Sequence, residues 1–447
     1  MYEGSIHKHD KTTLCIDNVD GQKALIARGG GELYEKLEGR EILADGTPTK
    51  VCTLCHHNAE IIRGAFPHTR PVPHTGHKIT IGLGDRLGLA SPGHIRAIKG
   101  TGVFPVLAQQ SIRELHLTRR TYNDVLDATT WAVFQEGYTG GYGADGDHLK
   151  TAEEVKYALD SGFTMITLDC SEHINAGGTS TQEQKSVYAG KTFDAGGVSI
   201  SFTPDELERV TAVYYGAVKH TIDIYREFID GGNIDFEMSI DETTFTTTPQ
   251  AHFFVANELK RSGVTVRSIA PRFCGEFQKG IDYIGDVSEF RREFAVHARI
   301  ARYFGYKLSV HSGSDKFAVF PAVGELDTYH LKTAGTNWLE AVRVIAKKSP
   351  MLFREIFACA MASLAEAKKY YHTTENTANI PANLTDQEFP SLLEQSDARQ
   401  VIHITYGQIL DMYGDRIFAE LHRYEADYCA GLQQHIGRHL RCLGIIT

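Results

Sequence analysis

Three of the 21 histidines in this sequence, His148, His311 and His330, fall near the C-terminal ends of short segments that read as strands. In KLSVH (307–311), alternation sends Leu308 and Val310 to one face and Lys307, Ser309 and His311 to the other. The segment 329–334 likewise puts His330 and Lys332 opposite Leu331. Gly143, Ala144 and Gly146 leave the parity of His148 open. Imidazoles at the strand ends of one barrel would be a reasonable ligand set for one divalent ion, Zn, Mn, Ni, Co or Fe. Local hydrogen bonding is the competing explanation for each.

Carboxylates crowd the same strand ends: Asp147 beside His148, Asp169, Asp241 with Glu242, and Asp315. Glu237 lies deeper on an inward face and needs a partner, since a lone buried carboxylate is costly. Asp147 and the Asp241–Glu242 pair come from well-separated strands, so they could supply acid and base from two sides. Asp147 and His148 can share a side only if their strand ends at Gly146. Asp169 reads better as a cap or an ion-pair partner. Arg86, Arg272, Lys316 and Lys332 add positive charge that suits an anionic ligand, although ion pairs within the rim would account for each equally well.

These residues need a frame to hold them. Strand candidates run over 78–84, 104–109, 142–148, 163–169, 234–241, 264–271, 307–311 and 329–334. Helical patterns follow them at 92–99, 112–135, 151–160, 204–229, 249–260, 287–304 and 337–347. This beat predicts an α/β fold, a (β/α)8 TIM-type barrel over residues 78–347 with its active site at the C-terminal ends of the strands. Residues 1–77 show no clear period and read as an irregular N-terminal extension. Residues 348–447 read as a helical C-terminal appendage, with helices at 351–371, 398–421 and 424–440 around a polar linker at 373–390. The Gly-, Ser- and Thr-rich stretch 171–201 follows the fourth strand on the active-site side, where a lid or binding loop is expected.

A net charge of −10 argues against a nucleic-acid or anionic-membrane partner. No apolar run is long enough to span a bilayer, and the N-terminus carries no apolar secretory core. Eight cysteines in a chain of this length point to a reduced, cytoplasmic protein. Cys52-Thr-Leu-Cys55-His56-His57 resembles half a zinc site, without a second ligand pair beyond the scattered His68, His74 and His77. There is no dinucleotide fingerprint, Walker loop or Gly-x-Ser-x-Gly elbow.

The segments GDRLGLASPGHIRA (84–97), GADGDHLKT (143–151), SIDETTFTTTP (239–249), SIAPRFCGEFQKGIDYIGD (268–286), HSGSDKF (311–317) and HLKTAGTNWLEA (330–341) span the barrel. On them the chain resembles the tagaturonate/fructuronate epimerase family, metal-dependent enzymes of bacterial hexuronate catabolism. That resemblance implies a hexulosonate substrate inverted at the hydroxyl carbon β to its ketone, C4. A proton there is not acidified by the carbonyl, so retro-aldol cleavage and re-addition is the expected route. A redox route would need a bound nicotinamide. The resemblance further implies His148, His311 and His330 as metal ligands, Asp147 as base and Asp241–Glu242 as the opposite acid or base. Gln109, Arg272, Ser312, Asp315, Lys316 and Lys332 would hold the carboxylate and hydroxyls. A homo-oligomer is compatible with all of this. Two rival readings stay open: a metal-dependent aldolase or isomerase of another sugar acid, and a non-catalytic sugar-binding protein.

Overall fold

Short strands that are buried on both faces need a partner on every side, and closure into a parallel barrel provides one. The computed structural model describes residues 1–447, the side chain of Thr336 excepted. Its barrel strands are β1 (Ile79–Gly82), β2 (Phe104–Gln110), β3 (Gly143–Leu149), β4 (Met165–Asp169), β5 (Asp235–Ile240), β6 (Ser268–Pro271), β7 (Lys307–Val310) and β8 (Tyr329–Lys332). All eight match a predicted strand. They are ordered as in the sequence, and β8 closes on β1 with Leu331 opposite Ile81. Helix starts carry the expected caps. Thr151 and Glu154 form a capping box on Ala152–Asp160, and Thr248 caps Pro249–Arg261 ahead of its N-terminal proline.

Outward side chains such as Ile81, Met238, Leu308 and Leu331 pack into the main hydrophobic core against the helices. Inward ones are polar: Thr80, Asp145, Thr167, Glu237, Ser309 and His330 are all buried. Barrels of this type usually fill their interior with apolar layers. Here charge pairing replaces that filling. At the lower end Thr75 Oγ1 donates to Asp235 Oδ1 (3.0 Å), the His74 backbone N–H donates to Asp235 Oδ2, and the His74 ring stacks on His330.

Residues 1–77 are not irregular. They form a five-stranded antiparallel sheet in the order His7–His9, Thr12–Val19, Gln22–Gly29, Thr47–Cys52, Arg40–Ala44, followed by the helix His56–Ala65. Its tight hairpin turns at Asp20-Gly21, both with positive φ. Leu14, Ile16, Leu25 and Cys52 pack this sheet against Trp131 and Phe134 of the helix Tyr122–Glu136. Cys52 is therefore part of a core, while His56 Nδ1 turns to Asp127 Oδ2 (2.8 Å).

The stretch 171–201 is not a lid. It forms the helix Gln182–Tyr188 and a hairpin, Lys191–Asp194 with Ser199–Phe202. The reason is aromatic: Tyr188 and Phe202 are buried, Phe193 and Phe202 meet Phe253, and Tyr188 meets Phe254 on the outer helix Pro249–Arg261. Tyr188 OH donates to Glu258 Oε1 (2.8 Å).

The expected helix at 112–135 divides into Ile112–Thr118 and Tyr122–Glu136, because Arg119 turns left-handed and Thr121 caps a new start. In the appendage, Pro350–Ala367, Ser396–Ile404, Tyr406–Arg423 and Glu425–Cys442 build a second core with Trp338, Phe353, Tyr406 and Tyr428. No helix is long and apolar enough to cross a membrane.

Candidate active site

Near the C-terminal end of β3, pairing with β4 slips between Gly146 and Leu149, and His148 takes a left-handed φ of 56°. Such a bulge re-aims neighbouring side chains. It brings Asp147 and His148 to the same barrel mouth, so the strand does not have to end at Gly146. Left-handed backbone at a non-glycine residue is a strain that clusters at functional sites.

His148 Nδ1 donates to Asp147 Oδ1 (2.8 Å), and His311 Nε2 donates to Glu237 Oε1 (2.7 Å). Each carboxylate thus takes one ring nitrogen and turns the opposite one to the mouth. Against the cost of burial, Asp147 and Asp241 favour protonated rings, His148 up to about 10, so a cation would bind there by displacing a proton. The rings lie 4.8 Å apart between centroids. His311 Nδ1 faces Asp241 Oδ1 at 3.1 Å yet has no aligned hydrogen-bond partner. One ligand atom from each of His148, Asp241 and His311 lies within 4.8 Å of the others. Two oriented imidazoles and a carboxylate are a donor set suited to a borderline divalent cation.

His330 does not join them. In β-register it sits opposite Ser309, two residues before His311, and so one inward layer lower. Its Nδ1 is 2.7 Å from Thr80 Oγ1. Alternation predicted its face correctly and could not predict its depth.

Beneath the cluster, Lys332 Nζ meets Asp147 Oδ1 (2.7 Å), Asp145 Oδ2 (2.8 Å) and Glu237 Oε1 (3.0 Å), and donates to Thr167 Oγ1. The ammonium is committed to protein carboxylates, although it also lines an inner chamber. Burial opposes the ionisation of Asp147, but His148 and Lys332 outweigh it and hold the carboxyl well below the usual range. Burial is likewise overcome at Glu237, by Lys332 and His311. Asp145 goes the other way: burial, helped by Asp147 and Glu237, outweighs Lys332 and raises it to about 6.

Above the cluster opens a cleft of about 550 Å³, lined among others by Asp241, Glu242, Arg272, Lys279 and Ser312. The inner chamber, about 40 Å³, is walled by Gln109, Asp147, His148 and Lys332. Glu242 borders both spaces, and its side chain is 45% exposed. Gln109 Nε2 approaches Asp147 Oδ2 at 3.5 Å. Arg272 leans on Glu276 Oε2 (3.4 Å), and Arg86 is paired with Glu114 Oε1 (2.8 Å).

Asp315 and Lys316 face away from the cleft, because left-handed turns at Ser312 and Asp315 redirect the chain. Asp315 accepts from Arg399 Nη2 (2.7 Å) and lies 3.0 Å from His435 Nε2. Lys316 Nζ donates to the carbonyls of Gln278, Ile281 and Ser314 at 2.7–2.9 Å, fixing the loop after β6. Asp169 is the expected local cap, accepting from the Ser171 N–H at 2.8 Å. Among the cleft-wall residues that escaped the sequence reading are Arg113 on the helix after β2, Lys279 in the β6 loop and Tyr371 in the appendage. None lies on a strand, so no alternation pointed to them.

Residues 2–443 match the UxaE tagaturonate epimerase family. The chain is 39% identical over 470 residues to the tagaturonate/fructuronate epimerase of Thermotoga maritima, covering 99% of this chain and 96% of that protein. Two crystal structures of the fructuronate-tagaturonate epimerase UxaE from Cohnella laeviribosi, one native and one complexed with one glycerol, each align with a TM-score of 0.95. In both, identity is 48%, with 99% of this chain and 96% of the other covered.

Proposed function

Since the chain belongs to the tagaturonate epimerase family, isomerase-class enzymes, we propose that it interconverts D-tagaturonate and D-fructuronate by metal-dependent retro-aldol chemistry. The observation that carries the metal assignment is the pair of imidazoles, each tied by a carboxylate at one nitrogen and turned to the mouth at the other, beside Asp241. His148, Asp241 and His311 would hold one divalent cation, which when bound supplies Lewis-acid stabilisation of negative charge on substrate oxygen.

The remaining steps belong to the protein. A carboxylate takes the proton from the C4 hydroxyl, the C3–C4 bond breaks, and its electron pair moves toward the C2 carbonyl. This leaves an enediolate and a three-carbon aldehyde acid. The aldehyde turns over, C3 attacks its other face, and the proton returns to the C4 oxygen. No oxidant or reductant is consumed. The hydroxyl lies on opposite faces in the two epimers, so two proton carriers are needed. Glu242, bordering both spaces, serves one face; Asp147, walling the inner chamber, serves the other. Gln109 and Ser312 hold hydroxyls, and Arg272 adds positive charge at the cleft.

The test is to incubate the protein with D-fructuronate in D₂O and follow it by NMR. D-Tagaturonate should form without deuterium at C4, stop on chelation and resume with Mn²⁺ or Zn²⁺. Solvent deuterium at C4 would overturn the cleavage route. Full activity in chelated, metal-free protein would overturn the cation's role, and no epimerisation of any uronate would overturn the assignment itself.

A further inference from the structure

The cations at this cleft differ in what neutralises them. Arg86 has Glu114, Arg272 has Glu276, and Lys332 has three carboxylates. Arg113 and Lys279 line both the cleft and the inner chamber, and neither has a carboxylate within ion-pairing distance among the described residues. Lys279 Nζ donates to Ser312 Oγ (3.0 Å), and Arg113 Nε is buried with no hydrogen-bond partner. A half-buried guanidinium without a counter-ion is costly unless a ligand provides one.

Arg113 is also held in place. Its guanidinium stacks on the Tyr371 ring at 4.8 Å, a contact that leaves the N–H edge of the fork free. Tyr371 is buried, and its hydroxyl lies 3.4 Å from that of Tyr406, whose own ring carries Arg86 at 4.0 Å. Two appendage tyrosines therefore back two barrel arginines, and only Arg113 lacks a protein carboxylate. We infer that Arg113, with Lys279, binds the terminal carboxylate of the hexulosonate, and that Tyr371 positions Arg113 to do so. The inference rests on the epimerase reading above and goes beyond it by naming the anion anchor. Arginine suits this role because its planar fork meets a carboxylate through two parallel hydrogen bonds.

The experiment compares the hexulosonate with the neutral ketohexose that carries a hydroxymethyl group in place of the terminal carboxylate. For Arg113→Met, KM for the uronate should rise about 10- to 100-fold, the range for a lost charge-assisted hydrogen bond, with kcat changing far less. The preference for uronate over neutral sugar should fall by a similar factor. Arg113→Lys should recover part of the loss, and Lys279→Met should move in the same direction by less. Tyr371→Phe, which keeps the stack, should hold KM, while Tyr371→Ala should raise it.

Unchanged KM and preference in Arg113→Met would overturn the inference while the epimerase reading stands. A wild type that epimerises no uronate would fell that reading first. If Arg113→Met does not fold by circular dichroism, Arg113→Lys and Lys279→Met decide the matter: wild-type KM and preference in both would overturn the inference.

Discussion

Two places in this chain bring a pair of imidazoles and an aspartate within 4.8 Å of one another: His148, Asp241 and His311 at the barrel mouth, and Asp315, His435 and His439 under the appendage. By residue type they are equivalent. In the second, Asp315 already accepts from the Arg399 guanidinium, and His439 Nε2 accepts the Asp315 backbone N–H at 3.1 Å. The lone pair of His439 is thus spent on the fold and a guanidinium is seated on Asp315, while Asp315 Oδ1 and His435 Nε2 face each other at 3.0 Å without an aligned hydrogen bond. In the first, the carboxylates bind the far side of each ring, the near nitrogens face the mouth, and a cleft opens above. Room is not the difference, since Asp315 and His435 also border a cleft of about 500 Å³; what sets the second cluster against a cation is the guanidinium already seated on its aspartate.

The largest effects should separate the two clusters. His311→Ala should cost about 10³-fold or more in kcat/KM, since a bound cation contributes several kcal/mol at the transition state, and should abolish stoichiometric metal measured by mass spectrometry. His435→Ala should leave metal content at the wild-type level. If His435→Ala alone lost the ion, the roles would be reversed.

Next in size is Lys332→Met, which strands three buried carboxylates and should destabilise the fold by about 3–5 kcal/mol in urea titration. An unchanged midpoint would mean that the network beneath the mouth is not what holds the barrel interior together. Smallest is Asp315→Asn, which weakens the contacts to Arg399 and His435 and should cost about 1–3 kcal/mol with metal content intact.

Much of this arrangement was legible in the residues. Strands buried on both faces appear as short apolar runs between glycines and capped helices, so all eight could be placed before the fold was known. His148 and His311 were picked out as ligands, and Asp241 as an acid or base rather than a ligand, because polar residues at strand ends are where such barrels keep their chemistry. Depth and direction were not legible. His330 shares an inward face with His311 but lies a layer lower, and Asp315 and Lys316 are carried away by left-handed turns that nothing in HSGSDKF announces. The N-terminal sheet was missed although Thr12–Val19 alternates about a buried face, because strands such as Arg40–Ala44 are largely exposed and dilute the pattern. Arg113, Lys279 and Tyr371 meet only in three dimensions.

That last meeting affects the order of biosynthesis. A ribosome that has finished residue 347 has made every barrel strand and neither of the tyrosines that back the two arginines. Because domains form as they emerge, the nascent barrel can assemble its polar mouth before Tyr371 and Tyr406, 24 and 59 residues further on, arrive to back its two arginines.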